Sequence, residues 1–396
     1  MFSQRNSNNT IAGGLRVHMM SLLLATLVVG IVATPLHAQD DPPPVTLGAG
    51  LQTSILHHQP SGDDTPATTS FRLNSLRFYV NGSATENIKF MVNTDISYGG
   101  SLGAPGSQKT DFQILDAVAR IELSDSFNLW VGRHLPPSDR ANLYGPYYSS
   151  HWGVFTDGVQ DGYPFVFQGR NNGVTYWGQF GKVKVSLGAF DGASATGDNS
   201  ILTAGRVQVN FWDPEAGYYL NGTYYGDKDL LTFGFATQVQ SGGETKQLGN
   251  GITFQEVSTK NASSVDFLLE QGVAGGGAVT LEAEWARYDG LGGYPTAPGA
   301  AFQTLKGGYV LAAYLFPEMS GIGIGRFQVL GKYAHANYSN DRSSIYSDFH
   351  QKTTEVNLNY IINQHNARVM LFLKNTDYSA VRADDFQVGL ALQIQM

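Results

Sequence analysis

Along much of this chain, apolar and polar residues alternate with a period of two. The C-terminal stretch 386–396 shows the pattern without interruption, since glutamine, glycine and alanine separate the apolar residues Phe386, Val388, Leu390, Leu392, Ile394 and Met396. Because successive side chains of a strand point to opposite faces, this stretch presents one apolar face and one face of small or amide side chains. Its length suits a single tilted crossing of a bilayer, which takes a strand of about 9–11 residues.

A transmembrane strand of this kind implies a closed barrel. In lipid, each unpaired backbone N–H or C=O group costs several kcal/mol, so a spanning sheet cannot leave an edge open. About seventeen alternating segments lie between Val45 and Met396, and single-chain bacterial barrels have even strand numbers. We therefore predict an all-β fold, a transmembrane antiparallel β-barrel of 16 strands, with 18 as the alternative. An edge strand of a soluble sandwich is the competing interpretation of the C-terminal stretch.

The predicted strands also assign side chains to faces, and the connections to sides of the membrane. One apolar face is formed by Leu115, Ala117, Ala119, Ile121 and Leu123. Short turns such as Gly181-Lys182 are predicted to be periplasmic, and longer polar stretches such as Asp289–Gly307 to be external.

The N-terminal region has the order of residues found in secretory signals. Arg5 and Arg16 precede the uncharged stretch Met19–Pro35, and the small residue Ala38 then stands just before Gln39, at the expected cleavage site. A membrane anchor is the alternative, but the apolar run is shorter than the 18 or so residues that a spanning helix needs. We therefore expect export through the periplasm to the bacterial outer membrane. The predicted organisation is a signal peptide at residues 1–38, a proline-rich leader at 39–44 and a barrel at 45–396.

Composition excludes several classes of function. Charged residues make up 15% of the chain, against about 25% in ordinary globular domains. The net charge is −8, and removal of the predicted signal peptide makes it more negative, which disfavours nucleic-acid binding. The chain contains no cysteine, so disulfides, thiolate metal sites and covalently attached c-type haem are excluded. No cofactor is expected.

One connection, Arg133–Arg170, differs from the others. It is too aromatic for a solvated loop and too often interrupted by proline and glycine for strands. We predict that this third external loop folds inward and narrows the lumen, with an aromatic external cap or a subunit contact as the alternative. Its charged residues would then lie at the constriction: Arg133, Asp139, Arg140, Asp157, Asp161 and Arg170.

Several motifs between residues 70 and 396 match the strands of one known family. They are Phe71–Arg77 leading to Asn81-Gly82, Leu115-Asp116-Ala117, Val131–Pro137, Gly169–Val174 and Val356–Tyr360. With these motifs the chain resembles the porin family typified by phosphate- and pyrophosphate-selective outer-membrane channels. The loop from 133 to 170 is the most distinctive part of the match.

The resemblance implies a homotrimeric channel of 16 strands with the third loop folded into the pore. In the selective members of the family, anions pass along a row of inward-facing Arg and Lys side chains. Arg77 belongs to the Arg-rich strand of this pattern, and alternation turns Lys89 and Arg120 inward. Acids such as Asp95 and Glu122 are interleaved with these cations, so one sign of charge does not dominate. We expect a porin for small ions and hydrophilic solutes, with a mild anion preference, surrounded by outer-membrane lipid and lipopolysaccharide.

The two alternatives to a porin are a sheath for a cytochrome and an enzyme. The stretch Gly132–Pro146 is also similar to the barrel part of fused cytochrome-porins of iron-oxidising bacteria, and without cysteine such a barrel would sheathe a separate cytochrome. An enzyme is not expected. The sequence Gly99–Gly103 matches the Gly-x-Ser-x-Gly motif of a nucleophile elbow. That motif joins a strand to a helix, whereas here it begins a glycine-rich loop.

Overall fold

The computed structural model describes residues 45–61, 66–100, 108–152, 170–192, 201–240, 245–247, 254–256, 259–289, 304–319, 323–339, 348–379 and 384–396. The predicted signal peptide and leader lie outside this part of the chain.

Antiparallel strands make up most of the described structure. In chain order they are β1 (Val45–Pro60), β2 (Thr68–Ser83), β3 (Ile88–Gly100), β4 (Gln108–Ser124), β5 (Phe127–His134), β6 (Asn171–Phe180), β7 (Val183–Asp191), β8 (Ile201–Asn210), β9 (Leu230–Gln240), β10 (Thr245–Gln247), β11 (Phe254–Glu256), β12 (Lys260–Val273), β13 (Gly277–Asp289), β14 (Thr304–Leu315), β15 (Arg326–Ser339), β16 (Phe349–Asn363), β17 (Ala367–Tyr378) and β18 (Asp385–Gln395). A helix, α1, spans Arg140–Tyr148.

All strands except β10 and β11, which form a separate hairpin, belong to one closed barrel. The barrel closes where β1 meets β18, because Leu51 lies opposite Leu76 of β2 on one side and opposite Ile394 of β18 on the other. Closure pairs the backbone of every barrel strand on both sides, which is what lipid requires. The prediction of a 16-strand antiparallel barrel is confirmed.

The two faces of the barrel differ in chemistry. Large apolar side chains are exposed around the outer face, among them Leu47, Phe71, Phe112, Leu187, Val310 and Leu390. The alternate positions point inward and carry buried polar groups, such as Thr232, Glu282 and Gln393. An exposed apolar belt around a polar interior is the arrangement of a membrane-spanning barrel. Within the described residues, no helix has the length and apolar character needed to span a membrane.

A β-bulge in β4 changes one predicted face. The alternation predicts an outward Leu115, but Asn93 of β3 pairs with Asp116 whereas the next residue, Thr94, pairs with Ile114. The extra residue turns Leu115 inward, where it is 5% exposed, and leaves Ile114 45% exposed. The prediction for Leu115 was wrong because a period of two does not reveal a single inserted residue.

Most connections at one end of the barrel are short. Residues 84–87, 125–126, 181–182, 274–276 and 364–366 join strands by tight turns, and the connection at 316–325 is of intermediate length. Residues 211–229, which join β8 to β9, lie at the same end because strand direction alternates, and they form the longest connection there. We call this segment T4, for the fourth connection at that end, and we call the connection at 135–170 loop L3.

Candidate functional site

Loop L3 follows β5 and is described from residue 135 to residue 152. The Asp139 carboxylate accepts a hydrogen bond from the backbone N–H of Asn142 at 2.8 Å and so caps α1. Gly145 interrupts the helix with φ 62° and ψ −176°, a conformation that glycine adopts without a steric penalty, and Pro146 follows it. The sequence thus produces two short helical turns joined at a kink.

Side chains of L3 contact inward-facing residues on distant strands. The Tyr144 hydroxyl donates to Glu282 of β13 at 2.9 Å, and the Tyr147 hydroxyl lies 3.1 Å from Ser75 Oγ of β2. Backbone carbonyls of the loop accept hydrogen bonds from Gln52, Asn359, Arg368 and Gln393. These partners belong to β1, β16, β17 and β18, so the described part of L3 is held by strands on several sides of the barrel.

Segment T4 packs against L3. Its hydrogen bonds to the loop run from the Tyr218 hydroxyl to the Leu135 carbonyl (2.7 Å), from the Leu220 N–H to the Leu143 carbonyl (3.2 Å) and from the Gly222 N–H to the Tyr148 carbonyl (2.9 Å). A shared apolar cluster unites the two segments with the barrel strands and includes Trp130, Leu143, Tyr144, Trp177, Tyr218 and Leu220. L3 and T4 therefore form one packed unit, which we call the L3–T4 unit.

A fully buried ion pair links the two segments. Arg140 of L3 donates through both terminal nitrogens to the Glu215 carboxylate of T4, and one of these contacts measures 3.0 Å. The same guanidinium donates to Thr232 of β9 and to the Asn221 carbonyl, each at 3.0 Å, and Asp266 of β12 lies 3.8 Å away. Both Arg140 and Glu215 are 0% exposed. Burial raises the pKa of the Glu215 carboxyl, but the Arg140 guanidinium, the Lys184 ammonium and the Tyr224 hydroxyl together outweigh burial, and the pKa lies below its usual value.

Two cavities lie between this unit and the wall formed by β1–β6. One, of about 600 Å³, is lined by Arg77, Asn93, Asp116, Asn142, Arg170 and Tyr219, and we call it the Arg170 cavity. The other, of about 720 Å³, is lined by Lys89, Arg120, Glu122, Trp130, Gln179 and Tyr219, and we call it the Lys89 cavity. Both are large enough for many water molecules. Tyr219 of T4 borders both cavities.

Each cation along these cavities has an acidic partner. The pairs are Arg77–Asp95 at 3.5 Å, Lys89–Glu122 at 3.0 Å, Arg120–Glu122 at 3.4 Å and Arg170–Asp116 at 2.9 Å. Four cations therefore meet three acids, because Glu122 serves two of them. Lys89 is the most exposed of the four, at 33% of its side chain. Asp125 also lines the Lys89 cavity, so the four cations and four acids of this wall balance.

The structure brings together part of the predicted set of site residues. Arg77, Lys89, Arg120 and Arg170 line the cavities. Asp139 and Arg140 are fully buried in the L3–T4 unit and line neither of the two cavities. Asp157 and Asp161 lie outside the described residues.

Arg133 departs from its predicted position at the constriction. It shares the outward side of β5 with Val131, is partly exposed, and donates to the Ile114 carbonyl at 2.9 Å. The reason is its register, since the inward positions of this strand are Asn128, Trp130 and His134, the buried ones.

Sequence analysis missed T4, with Glu215 and Tyr219. A signal was available, because residues 211–229 combine paired tyrosines with proline and glycine, as L3 does. What concealed T4 was its place in the chain, at the end of the barrel where short turns are the rule.

The sequence profile that describes the phosphate-selective porins O and P matches residues 45–396. The chain belongs to this porin family. None of the curated proteins matches it.

Solved porins share the fold at low sequence identity. OmpF of Salmonella typhi, solved in complex with daunomycin, covers 89% of this chain and 97% of its own length, with 12% identity and a TM-score of 0.58. An anion-selective porin from Comamonas acidovorans covers 89% and 99%, with 13% identity and a TM-score of 0.50. The trimer form of OmpT, an outer membrane protein of Vibrio cholerae, covers 89% and 100%, with 11% identity and a TM-score of 0.50. At such identities these likenesses establish the barrel fold of this porin.

Family and fold together place the porin in the bacterial outer membrane and point to a channel rather than to an enzyme. In this porin the barrel strands form the wall, and L3 and T4 contact inward-facing residues of β1, β2, β9, β13 and β16.

Proposed function

We propose that this porin lets small ions and hydrophilic solutes diffuse along the β1–β6 wall, past the Arg170 and Lys89 cavities. The observation that supports the proposal is the position of these cavities, which lie beside the L3–T4 unit and carry the charged residues of the wall. L3 and T4 constrict the lumen on the other side through their contacts with β9, β13, β16 and β17. A solute would therefore meet a narrow, polar path along one wall.

We propose a mild anion preference on the strength of the family and not of a charge excess. The four cations of this path are accompanied by four acids, because Asp125 also lines the Lys89 cavity. The family is described as phosphate-selective, and the Comamonas neighbour is described as anion-selective. Local pairing of every one of these cations argues for weak discrimination in this porin, instead of tight binding of phosphate.

Assembly is proposed by analogy. The OmpT trimer form shares the barrel fold, so we propose that this porin forms a homotrimer embedded in outer-membrane lipid and lipopolysaccharide. The exposed apolar belt, with residues such as Phe71 and Leu187, would contact lipid or neighbouring subunits. The contacts of L3 and T4 with inward-facing residues of the wall, such as Glu282 and Thr232, favour a channel over the alternative role as a sheath for a separate cytochrome.

Conductance in planar bilayers tests the proposal. In a potassium chloride gradient, the wild-type porin is expected to conduct with a reversal potential slightly on the anion side. Lys89→Gln removes the most exposed cation of the path and should move the reversal potential toward cations. Lys352→Gln is the matched control, since Lys352 is exposed on the outer face of β16, and it should leave the potential unchanged. Equal shifts in both variants would contradict a path along Lys89.

A further inference from the structure

We propose that Tyr219, at the tip of T4, is a specificity-determining residue that sets the size limit of this porin from the side of the short turns. The proposal rests on the proposed function, because it assumes that solutes move along the β1–β6 wall. The new element is that T4, and not L3, narrows the path along this wall. Tyr219 is the T4 residue that projects between the two cavities and lines both.

The position of Tyr219 is fixed by direct contacts with the wall. Its hydroxyl donates to Oδ1 of Asp116 at 2.8 Å, and the same oxygen of Asp116 accepts from Arg170 at 2.9 Å. The backbone N–H of Leu135 lies 3.5 Å from the phenol oxygen. The Tyr219 ring packs edge-on against the Trp130 ring, with centroids 5.7 Å apart. These contacts join T4, L3, β4 and β5 at one point.

The rest of T4 holds this tip in place. At its base, the Phe211 N–H donates to the Leu231 carbonyl at 2.8 Å, which extends the pairing of β8 with β9. Further along, the buried Glu215–Arg140 pair and the backbone hydrogen bonds to L3 anchor both sides of the tip. The backbone around Tyr219 is therefore held by other contacts of T4. Substitution of the Tyr219 side chain should change the size of the pore while T4 stays in place.

The ring and the hydroxyl of Tyr219 have separable effects. The ring occupies the space between the two cavities, so its volume limits the size of a passing solute. The hydroxyl binds Asp116, so it reduces the negative charge that this carboxylate presents to ions. A variant that keeps the ring changes only the charge, and a variant that removes the ring changes the size limit.

Four variants test the proposal: Tyr219→Ala, Tyr219→Trp, Tyr219→Phe and the control Tyr314→Ala. Tyr314 lies on the outer face of β14, where its ring packs against Phe316, and it lines neither cavity. Each variant is first shown to migrate as a folded barrel on gels before boiling. The measurements are single-channel conductance, reversal potential and the swelling rate of proteoliposomes in pentoses, hexoses and disaccharides.

The expected results differ in sign among the variants. Tyr219→Ala should raise conductance and shift the size limit toward the disaccharide, whereas Tyr219→Trp should lower conductance. Tyr219→Phe should keep the wild-type size limit and shift the reversal potential toward cations. The control should match the wild type. General loosening of the barrel would raise conductance in both the Ala and the Trp variants, so opposite signs identify a steric role.

The outcomes also separate this inference from the proposed function. A wild-type porin that conducts while Tyr219→Ala keeps its conductance and size limit would overturn the role of Tyr219 and leave the channel function standing. A wild-type barrel that is folded but does not conduct would instead overturn the proposed function. If Tyr219→Ala does not fold, Tyr219→Leu provides the shortened side chain for the same comparison.

Discussion

Replacement of Arg140 should destabilise the folded porin more than any exposed charge change. Arg140→Met removes the guanidinium that binds Glu215 and leaves the buried carboxylate with two neutral donors, Gln208 at 2.7 Å and Tyr224 at 3.0 Å, and with Lys184 as a cationic neighbour that is not hydrogen-bonded to it. Glu215→Gln removes the opposite charge, but Arg140 then still has Asp266 3.8 Å away. The structure therefore predicts that the Arg140 variant is the more damaging of the two.

The magnitude follows from the burial of the pair. Removal of one partner of a buried ion pair costs about 3–5 kcal/mol, because the other charge is left uncompensated. Arg140 and Glu215 are both 0% exposed, so no solvent weakens the effect. We expect about 5 kcal/mol for Arg140→Met and about 3 kcal/mol for Glu215→Gln. The double variant Arg140→Met/Glu215→Gln should cost less than the sum of the single variants, by about 1–3 kcal/mol.

The assay is denaturant-induced unfolding in detergent micelles, followed by tryptophan fluorescence. Arg287→Met provides the control, since its partner Asp289 lies 2.7 Å away in an exposed pair with 46% and 33% of the two side chains accessible. Such a pair contributes about 0–1 kcal/mol. An Arg140 variant with a free energy of unfolding close to that of the control, or an additive double variant, would refute the role of the pair in joining L3 to T4.

Acid should weaken the L3–T4 unit in two pH ranges. Burial, with a smaller contribution from Arg368, lowers the pKa of His365 in the turn after β16 to about 3. The unfolded chain takes up this proton near pH 6.5, so stability should fall as pH drops from about 6.5 to about 3, and His365→Asn should flatten that decline in unfolding titrations. The depressed pKa of Glu215 contributes stability above about pH 4.3 that is lost as pH falls through the folded value. Glu215→Gln should flatten only this lower range.

The barrel could be predicted from the sequence because its physical causes are local. Alternation with a period of two appears in each strand separately, and the need to pair backbone groups in lipid turns a set of strands into a closed sheet. The composition of L3 likewise indicated a segment that packs against protein. The bulge at Leu115 could not be predicted, because it depends on the register with β3, which no single strand specifies.

The charged residues were predicted less well because their roles depend on distant partners. Arg140 is bound by Glu215, 75 residues later in the chain, and this burial removes it from the solute path. Lys89, Arg120, Arg170 and Arg77 could be placed because strand alternation or proximity to a strand end fixes their direction. T4 was not predicted, because it lies at the end of the barrel where short turns are expected. Nothing in its local sequence shows that it folds back against L3.

One measurement tests directly whether the conducting path follows the β1–β6 wall. Because the chain contains no cysteine, Asn93→Cys places a single thiol in the Arg170 cavity, and Asn357→Cys places one on β16, at a buried inward position that lines neither cavity. A bulky, water-soluble thiol reagent is applied during single-channel recording. We predict that it lowers the current through the Asn93→Cys channel and leaves the Asn357→Cys channel unchanged. Block at position 357 without block at position 93 would contradict the proposed path.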